Sequence, residues 1–523
     1  MTMIRAALFG ALVSLSGAPA LGQSLTIATG GAATSLDPHF FNAAPNNALT
    51  QHIFDRLVDR DAQARVVPGL AQSWRLVSDT VWEFTLRPGI TWHDGRPFTA
   101  DDVVFTYQRA PNVPNSPGGF GTPLRSIKAT TMVDALTLRI ETSFPNPTLL
   151  TELASVQVIS RHVGAGATTD DYNAGRAAIG TGPYRLVSHR QGDRTDLARN
   201  EAYWAGQEPW ARVALRFIAT DPSRTAALLA GDVDMIDQVS PNDLPRLQRD
   251  PRVVLSQIGS LRMVHIGPDW SRPGPLPHVT DNQGQPLPVN PFRDIRVRRA
   301  LNIAINRDAI VERAMDGIGA PTAQWLPAGT SSHDPQTLPA RYDPDAARRL
   351  LAEAGYPQGF RMVLHTMNDR FPNDARLAQA VAQMWSRVGV QTAVEALPWT
   401  TYSARAARQE FSMSVGSWGS TTGEGLSYLN SVLATFDRQK QTGASNQRRV
   451  SMPELDAILA RATQIMDDTA REAAIIEAVR VYAAELPNFP IMHLGNVWAL
   501  KRGLTHDARR DERTLAMGVR PRN

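Results

Sequence analysis

Between residues 361 and 397 the spacing of apolar side chains changes period twice. Arg361-Met362-Val363-Leu364-His365 is a β-rich run, and a turn-rich stretch follows from Asn368 to Asn373. Leu377, Val381, Met384 and Val388 then share one helical face, which Gly389 stops. Val390, Thr392 and Val394 alternate again as a strand. Strand, helix and strand within about 35 residues predict a βαβ unit whose two strands are parallel.

The same punctuation recurs elsewhere. Asp343-Pro344 opens a helix that Gly355 closes, with Pro357 just beyond, and Asp221-Pro222 opens another that ends at Gly231 before a strand at Val233 to Ile236. Residues 451–466 and 469–486 predict two amphipathic helices, with Leu455, Ile458, Leu459 and Met466, then Ile475, Ile476, Val479 and Leu486, as core stripes. Trp82, Phe84 and Leu86 alternate as a strand, Pro88-Gly89 turns the chain, and Thr99 with Asp102 starts a helix through Tyr107. Val133 to Ile140 reads as one further strand. Residues 48–178 are expected to form a smaller subdomain inserted in a first lobe, and the proline-rich stretch from Pro268 to Pro291 a loop. Strands alternating with capped helices predict an α/β architecture.

Length sharpens this picture. The chain has 523 residues, too many for one hydrophobic core, so at least two lobes are expected. At the start, Arg5 precedes an apolar stretch of about ten residues, too short to span a bilayer, and Ala18-Pro19-Ala20-Leu21-Gly22 offers small residues for cleavage. Residues 1–22 are therefore expected to be a signal peptide cut near Gly22, giving a periplasmic protein. The chain contains no cysteine, which excludes disulfides, thiolate metal sites, a thiol nucleophile and a lipidated N-terminal cysteine. Lysine and arginine number 54 against 50 acids, without a long basic run, so no nucleic-acid partner is expected.

Several blocks resemble one family. Ser35-Leu36-Asp37-Pro38-His39, Pro68-Gly69-Leu70-Ala71, the run from Leu86 through Trp92-His93-Asp94-Gly95 to Val103, Ile179-Gly180-Thr181-Gly182-Pro183-Tyr184, and Asp294 to Leu301 occur in the family's order. Together they are similar to the periplasmic solute-binding proteins of extracellular solute-binding family 5, the peptide-, opine- and nickel-type receptors of ABC importers. The resemblance implies a two-lobe periplasmic binding protein fold of type II-like kind, with a subdomain inserted in lobe one and a ligand cleft between lobes. It would place lobe one at residues 23–265 plus 487–523 and lobe two at 266–486, with hinge strands near His265-Ile266 and at 487–491.

Candidate ligand contacts follow from both readings. Ligands bind beyond the carboxyl ends of strands in an open parallel sheet, and Arg370 lies in the loop just after the strand ending near Thr366. It also matches, by resemblance, an arginine that grips the substrate carboxylate in peptide-binding relatives; a solvated loop arginine is the alternative. Peptide binders usually carry an aspartate a few residues after a Gly-x-Trp, pairing with the peptide ammonium. Here the run is Ser417-Trp418-Gly419-Ser420-Thr421-Thr422-Gly423-Glu424, so Thr421 or Thr422 stands there. A hydroxyl cannot neutralise a buried ammonium, which disfavours a peptide with a free N-terminus and leaves room for a carboxylated, sugar-linked or N-blocked solute. Trp418, between glycines, and Trp399 with Tyr402 are candidate apolar walls. Asn42 and Asn46 are candidate hydrogen-bonding residues from lobe one or ordinary turn residues.

The resulting expectation is a monomeric, non-enzymatic binding component of an ABC importer. It would hold a small peptide-like or carboxylated solute by hinge closure and hand it to membrane permease subunits, with no cofactor and no metal site of its own. His93-Asp94 reads as a turn in a structural block. No Gly-x-Ser-x-Gly, His-Glu-x-x-His or cysteine supports the rival reading as a secreted hydrolase. A ligand-presenting receptor for a chemosensor and a nickel-chelate binder share the fold and stay open.

Overall fold

The computed structural model describes residues 23–420 and 423–522; the expected signal segment, together with Thr421 and Thr422, lies outside them. One mixed sheet of 12 strands runs through the molecule. Its longer members are β1 (Ser24–Thr29), β2 (Tyr184–Arg190), β3 (Arg194–Arg199), β4 (Arg212–Phe217), β5 (Val253–Pro268), β6 (Phe360–Met367), β7 (Val390–Leu397), β8 (Met413–Gly419) and β9 (Phe489–Lys501). One half is ordered β6-β8-β5-β9, with β7 beside β6; across the short Met235–Ile236 strand the other half is ordered β1-β4-β3-β2.

The βαβ unit forms as its apolar spacing dictates. β6 and β7 pair in parallel from Phe360 opposite Val390 to Met367 opposite Leu397. The helix Asp374–Arg387 between them buries Leu377, Ala378, Val381 and Trp385, the stripe that a 3.6-residue period requires. Asp343 caps the helix Pro344–Glu353 by accepting the Ala346 N–H at 2.8 Å, and the next turn closes at Gly355, whose φ of +93° suits a residue without Cβ.

β5 and β9 are 16 and 13 residues long and tie the two halves together. Their antiparallel ladder runs from Val253 opposite Lys501 to Gly259 opposite Gly495, slips, and resumes with Met263 opposite His493. Buried side chains divide at the same place. Val253, Val497 and Ala499 join a core with Ala28 and Leu228, whereas Val264, Ile266, Phe489 and Ile491 join one with Leu301, Leu364 and Trp385. The segments expected at the crossing, His265-Ile266 and 487–491, lie within this ladder, with His265 opposite Pro490 and Ile266 opposite Phe489.

A four-stranded antiparallel sheet stands apart, ordered Ala71–Ser78, Val81–Leu86, Thr137–Thr142 and Ile127–Asp134. Its core runs from Leu57 to Val158. At the margins of the expected 48–178 unit, Leu49, Ile53, Phe54, Ile159 and Tyr172 instead pack with Leu25 and Ile27 of β1. The single strand expected over Val133 to Ile140 is two strands, paired from Ile127 opposite Thr142 to Asp134 opposite Thr137. Asp134 makes the reversal, its carboxylate accepting the Leu136 N–H at 2.8 Å.

Two of the sequence blocks acquire structural reasons. A Cβ on Gly180 would sit 1.8 Å from the Ile53 carbonyl oxygen and one on Gly182 2.6 Å from it, so only glycine allows this backbone contact. Asp37 is fully buried and binds Arg109 through both oxygens, at 2.9 and 2.7 Å, which fastens the loop after β1 to the subdomain helix Ala100–Arg109.

Candidate functional site

A cavity of about 400 Å³ opens where the carboxyl ends of β1 and β4 approach the loop after β6. This is the position at which open α/β sheets leave a crevice for ligands. The loop after β1, the β2–β3 hairpin and the end of β4 line it together with Arg262 of β5, Glu512 and Arg370. Six arginines (Arg190, Arg194, Arg216, Arg262, Arg370 and Arg513) line it against three carboxylates, Asp193, Asp237 and Glu512. The cavity is thus cationic, and the low dielectric of its walls strengthens that field.

Each carboxylate already has a partner. Glu512 accepts from Arg262 Nε and Nη2 at 3.0 and 3.1 Å, and Asp193 from Arg190 at 2.8 Å. Asp237 accepts the Gly30 N–H at 2.9 Å and lies 3.6 Å from Arg224. Burial pushes the Asp237 carboxyl up to about 6 despite those contacts. His189, also lining the wall, is lowered by burial and stays neutral near pH 7.

Arg370 is different. Its backbone N–H donates to Asp374 at 3.0 Å, yet among the described residues its guanidinium has no hydrogen-bond or carboxylate partner. The guanidinium lies over the Trp399 ring, 5.1 Å from the centroid. Desolvation by the cleft walls lowers its pKa, as does the like charge of Arg262, while Glu512 acts in the opposite sense. Arginine remains charged under such shifts, so the loop presents an open donor fork suited to a carboxylate.

The other candidates divide. Trp399 is 41% exposed and supports Arg370 from beneath. Tyr402 is buried, stacks on Trp399 and donates its hydroxyl proton to the Val415 carbonyl, so it is a core residue behind the site and not a wall of it. Trp418 is half-buried and meets Tyr428 edge-on at 6.1 Å; it lies in β8, outside the cavity lining. Asn46 accepts the Thr34 N–H at 3.2 Å and donates to its hydroxyl at 3.1 Å, while Asn42 accepts from Asn47 at 2.8 Å. These amides brace lobe one, and the same short helix, Ala44–Thr50, meets the cavity through Ala44, Pro45 and Ala48 instead. Thr421 and Thr422 lie outside the described residues. Glu424 points to Arg471 at 3.9 Å and does not line the cavity.

The glycines flanking Trp418 have a different use from ligand approach. A Cβ on Gly416 would meet His265 Nε2 at 2.6 Å, and one on Gly419 would meet Arg262 Nη2 at 2.8 Å. Gly419, having no side chain, leaves room for Arg262 to reach Glu512. His93 is likewise structural: its Nδ1 accepts from the Gly180 N–H at 3.2 Å and its Nε2 donates to the Gly182 carbonyl at 3.0 Å, and burial lowers it to about 4. Sequence reasoning missed Arg262, Glu512 and the arginines of the β2–β3 hairpin. Their chemistry reveals nothing until the strands are ordered and distant segments meet.

Residues 65–440 match the bacterial extracellular solute-binding proteins, family 5 Middle. The chain is 28% identical over 477 residues to heme-binding protein A of Haemophilus influenzae, across 86% of this chain and 82% of that protein. It is 27% identical over 434 residues to the dipeptide-binding protein of Escherichia coli, across 77% of each. Among solved structures, HbpA2 of Haemophilus parasuis superposes with a TM-score of 0.82 at 25% identity, over 96% of this chain and 100% of that one. A sequence match over most of the chain, carried on the same two-lobe architecture, makes this protein a member of family 5 of the bacterial extracellular solute-binding proteins.

Proposed function

We propose that the protein captures a small carboxylated, peptide-like solute in this cleft, with Arg370 gripping a carboxylate. It would then present the closed form to the permease subunits of an ABC importer. The observation that carries the reading is the open guanidinium of Arg370, held over Trp399 at the edge of a cationic cavity. A charged donor fork kept without an internal carboxylate is costly unless a ligand completes it. Contacts to both walls exist together only when the lobes approach, so binding shifts the population towards the closed form. The dipeptide named for the Escherichia coli relative supports a peptide-like solute.

Export through cleavage near Gly22 and action as a monomer belong to the same reading, and no chemical step is required of the protein. Calorimetric titration of the purified protein with N-acetylated dipeptides tests it. R370A is expected to weaken a carboxylated ligand by about 2–5 kcal/mol, the usual cost of removing one partner of a buried charged pair. Unchanged affinity removes Arg370 from the site.

A further inference from the structure

Three arginines stand in direct register across the wall opposite Arg370. Arg190 of β2 is paired with Arg194 of β3, and Arg194 with Arg216 of β4; all three line the cavity. Like charges directly opposite one another on adjacent strands are destabilising. The fold answers two of them: Arg190 lies 2.8 Å from Asp193, and Arg194 2.8 Å from Asp196. Arg216, half-buried at the end of β4, has no hydrogen-bond or carboxylate partner for its guanidinium among the described residues. One wall therefore carries an unanswered cation at Arg216, and the facing lobe carries another at Arg370.

We infer that the solute bears two anionic groups, carboxylates in the simplest case, one taken by Arg370 and the other by Arg216 with Arg194 beside it. This deepens the carboxylate reading above and rests on it, adding an anchor on the lobe to which Arg370 does not belong. Closing the cleft brings two positive walls together. A monoanion held by Arg370 leaves Arg216 unanswered, whereas a dianion between the walls offsets both. Closure thus favours diacids, because a ligand shifts the equilibrium only by its difference in affinity for the two states. Arg216 is the specificity-determining residue in this scheme.

A matched pair of probes isolates the second charge: N-acetyl-alanyl-glutamate and N-acetyl-alanyl-glutamine have nearly the same shape and differ by one carboxylate. Calorimetry with the wild-type chain is expected to show the diacid bound about tenfold tighter or more, as a charge-assisted hydrogen-bonded pair implies. R216Q is expected to abolish that preference while the unliganded variant melts no lower than wild type, since a like-charge neighbour has been removed. Equal affinities for the two probes, no heat from either, or a preference that survives R216Q would overturn the proposal. Equal affinities that R370A abolishes together would remove the second anchor and leave the carboxylate reading standing. Binding that R370A does not touch would remove that reading itself.

Discussion

Arg370, in the loop after β6, lies over the ring of Trp399, in the helix that follows β7: the guanidinium carbon is 5.1 Å from the ring centroid. Trp399 is in turn held by Asp369, which accepts its backbone N–H at 2.7 Å, and by stacking on buried Tyr402 at 6.1 Å. The aromatic shelf fixes where the donor fork points, which a long side chain on a loop would otherwise leave free at a cost in rotamer entropy on binding.

Removing the shelf should weaken binding without abolishing it. An exposed cation–π contact contributes about 0.5–1 kcal/mol, so W399A is expected to lose about two- to fivefold in affinity for a carboxylated solute. W399F should lose less. In a double-mutant cycle with R370A the two effects should not add, because both act through one guanidinium. Additive losses in calorimetry would separate them.

Asp237 predicts a pH dependence. Burial raises its folded-state pKa to about 6, above the ordinary carboxylate value of about 3.9. The charged form is therefore disfavoured in the folded state. Its penalty is present above pH 6 and is relieved as pH falls from about 6 towards about 4. Protonation also removes a negative charge from the cavity wall, while a ligand carboxylate stays ionised. Affinity for an anionic solute is expected to rise from about pH 7 to about pH 5, and D237N should flatten that slope. Titrations at the two pH values, in wild type and variant, decide it; an affinity that falls over this window contradicts the assignment.

The two glycine substitutions nearest the motifs should behave differently. In G180A the new Cβ meets the Ile53 backbone oxygen at 1.8 Å, which cannot move without displacing the chain. The expected loss is about 1–3 kcal/mol or more in a denaturant melt. In G419A the contact at 2.8 Å is the mobile end of Arg262, so stability should change little. The guanidinium would be pushed from Glu512, and ligand affinity should change instead. A large stability loss in G419A would show that Arg262 has nowhere to go.

Asp37 and Arg109 form a buried bidentate pair. Burial raises the carboxyl, but the Arg109 hydrogen bond and charge hold it below its ordinary value. Its stabilising contribution is present near neutrality and is lost as pH falls through that lowered value. D37A strands Arg109 and is expected to cost about 3–5 kcal/mol, read as a fall in the urea midpoint. A midpoint within error of wild type would mean that Arg109 finds another partner.

Much of the second lobe was readable in advance, because the βαβ unit from Phe360 to Leu397 is governed by local periodicity and by glycine and proline stops. Val133 to Ile140 failed for the converse reason: the reversal at Ala135-Leu136 has neither glycine nor proline, and its one mark is Asp134, whose carboxylate accepts the Leu136 N–H at 2.8 Å. Arg370 could be placed because a loop after a parallel strand has a known direction. Tyr402, Asn42 and Asn46 could not be distinguished from ligand contacts, since whether a polar group faces a cleft or a neighbouring backbone depends on residues far away in the chain.

Sequence alone determined the α/β class, the helices and their caps, and the family, because these depend on side-chain period and on short blocks that local sterics demand. Tertiary structure decided where the charges meet. Arg190, Arg194 and Arg216 are separate letters until three strands are set in register, and Arg262 and Glu512 lie 250 residues apart. Electrostatic energy falls with distance in space and is indifferent to distance along the chain, so the character of the cleft exists only in the folded molecule.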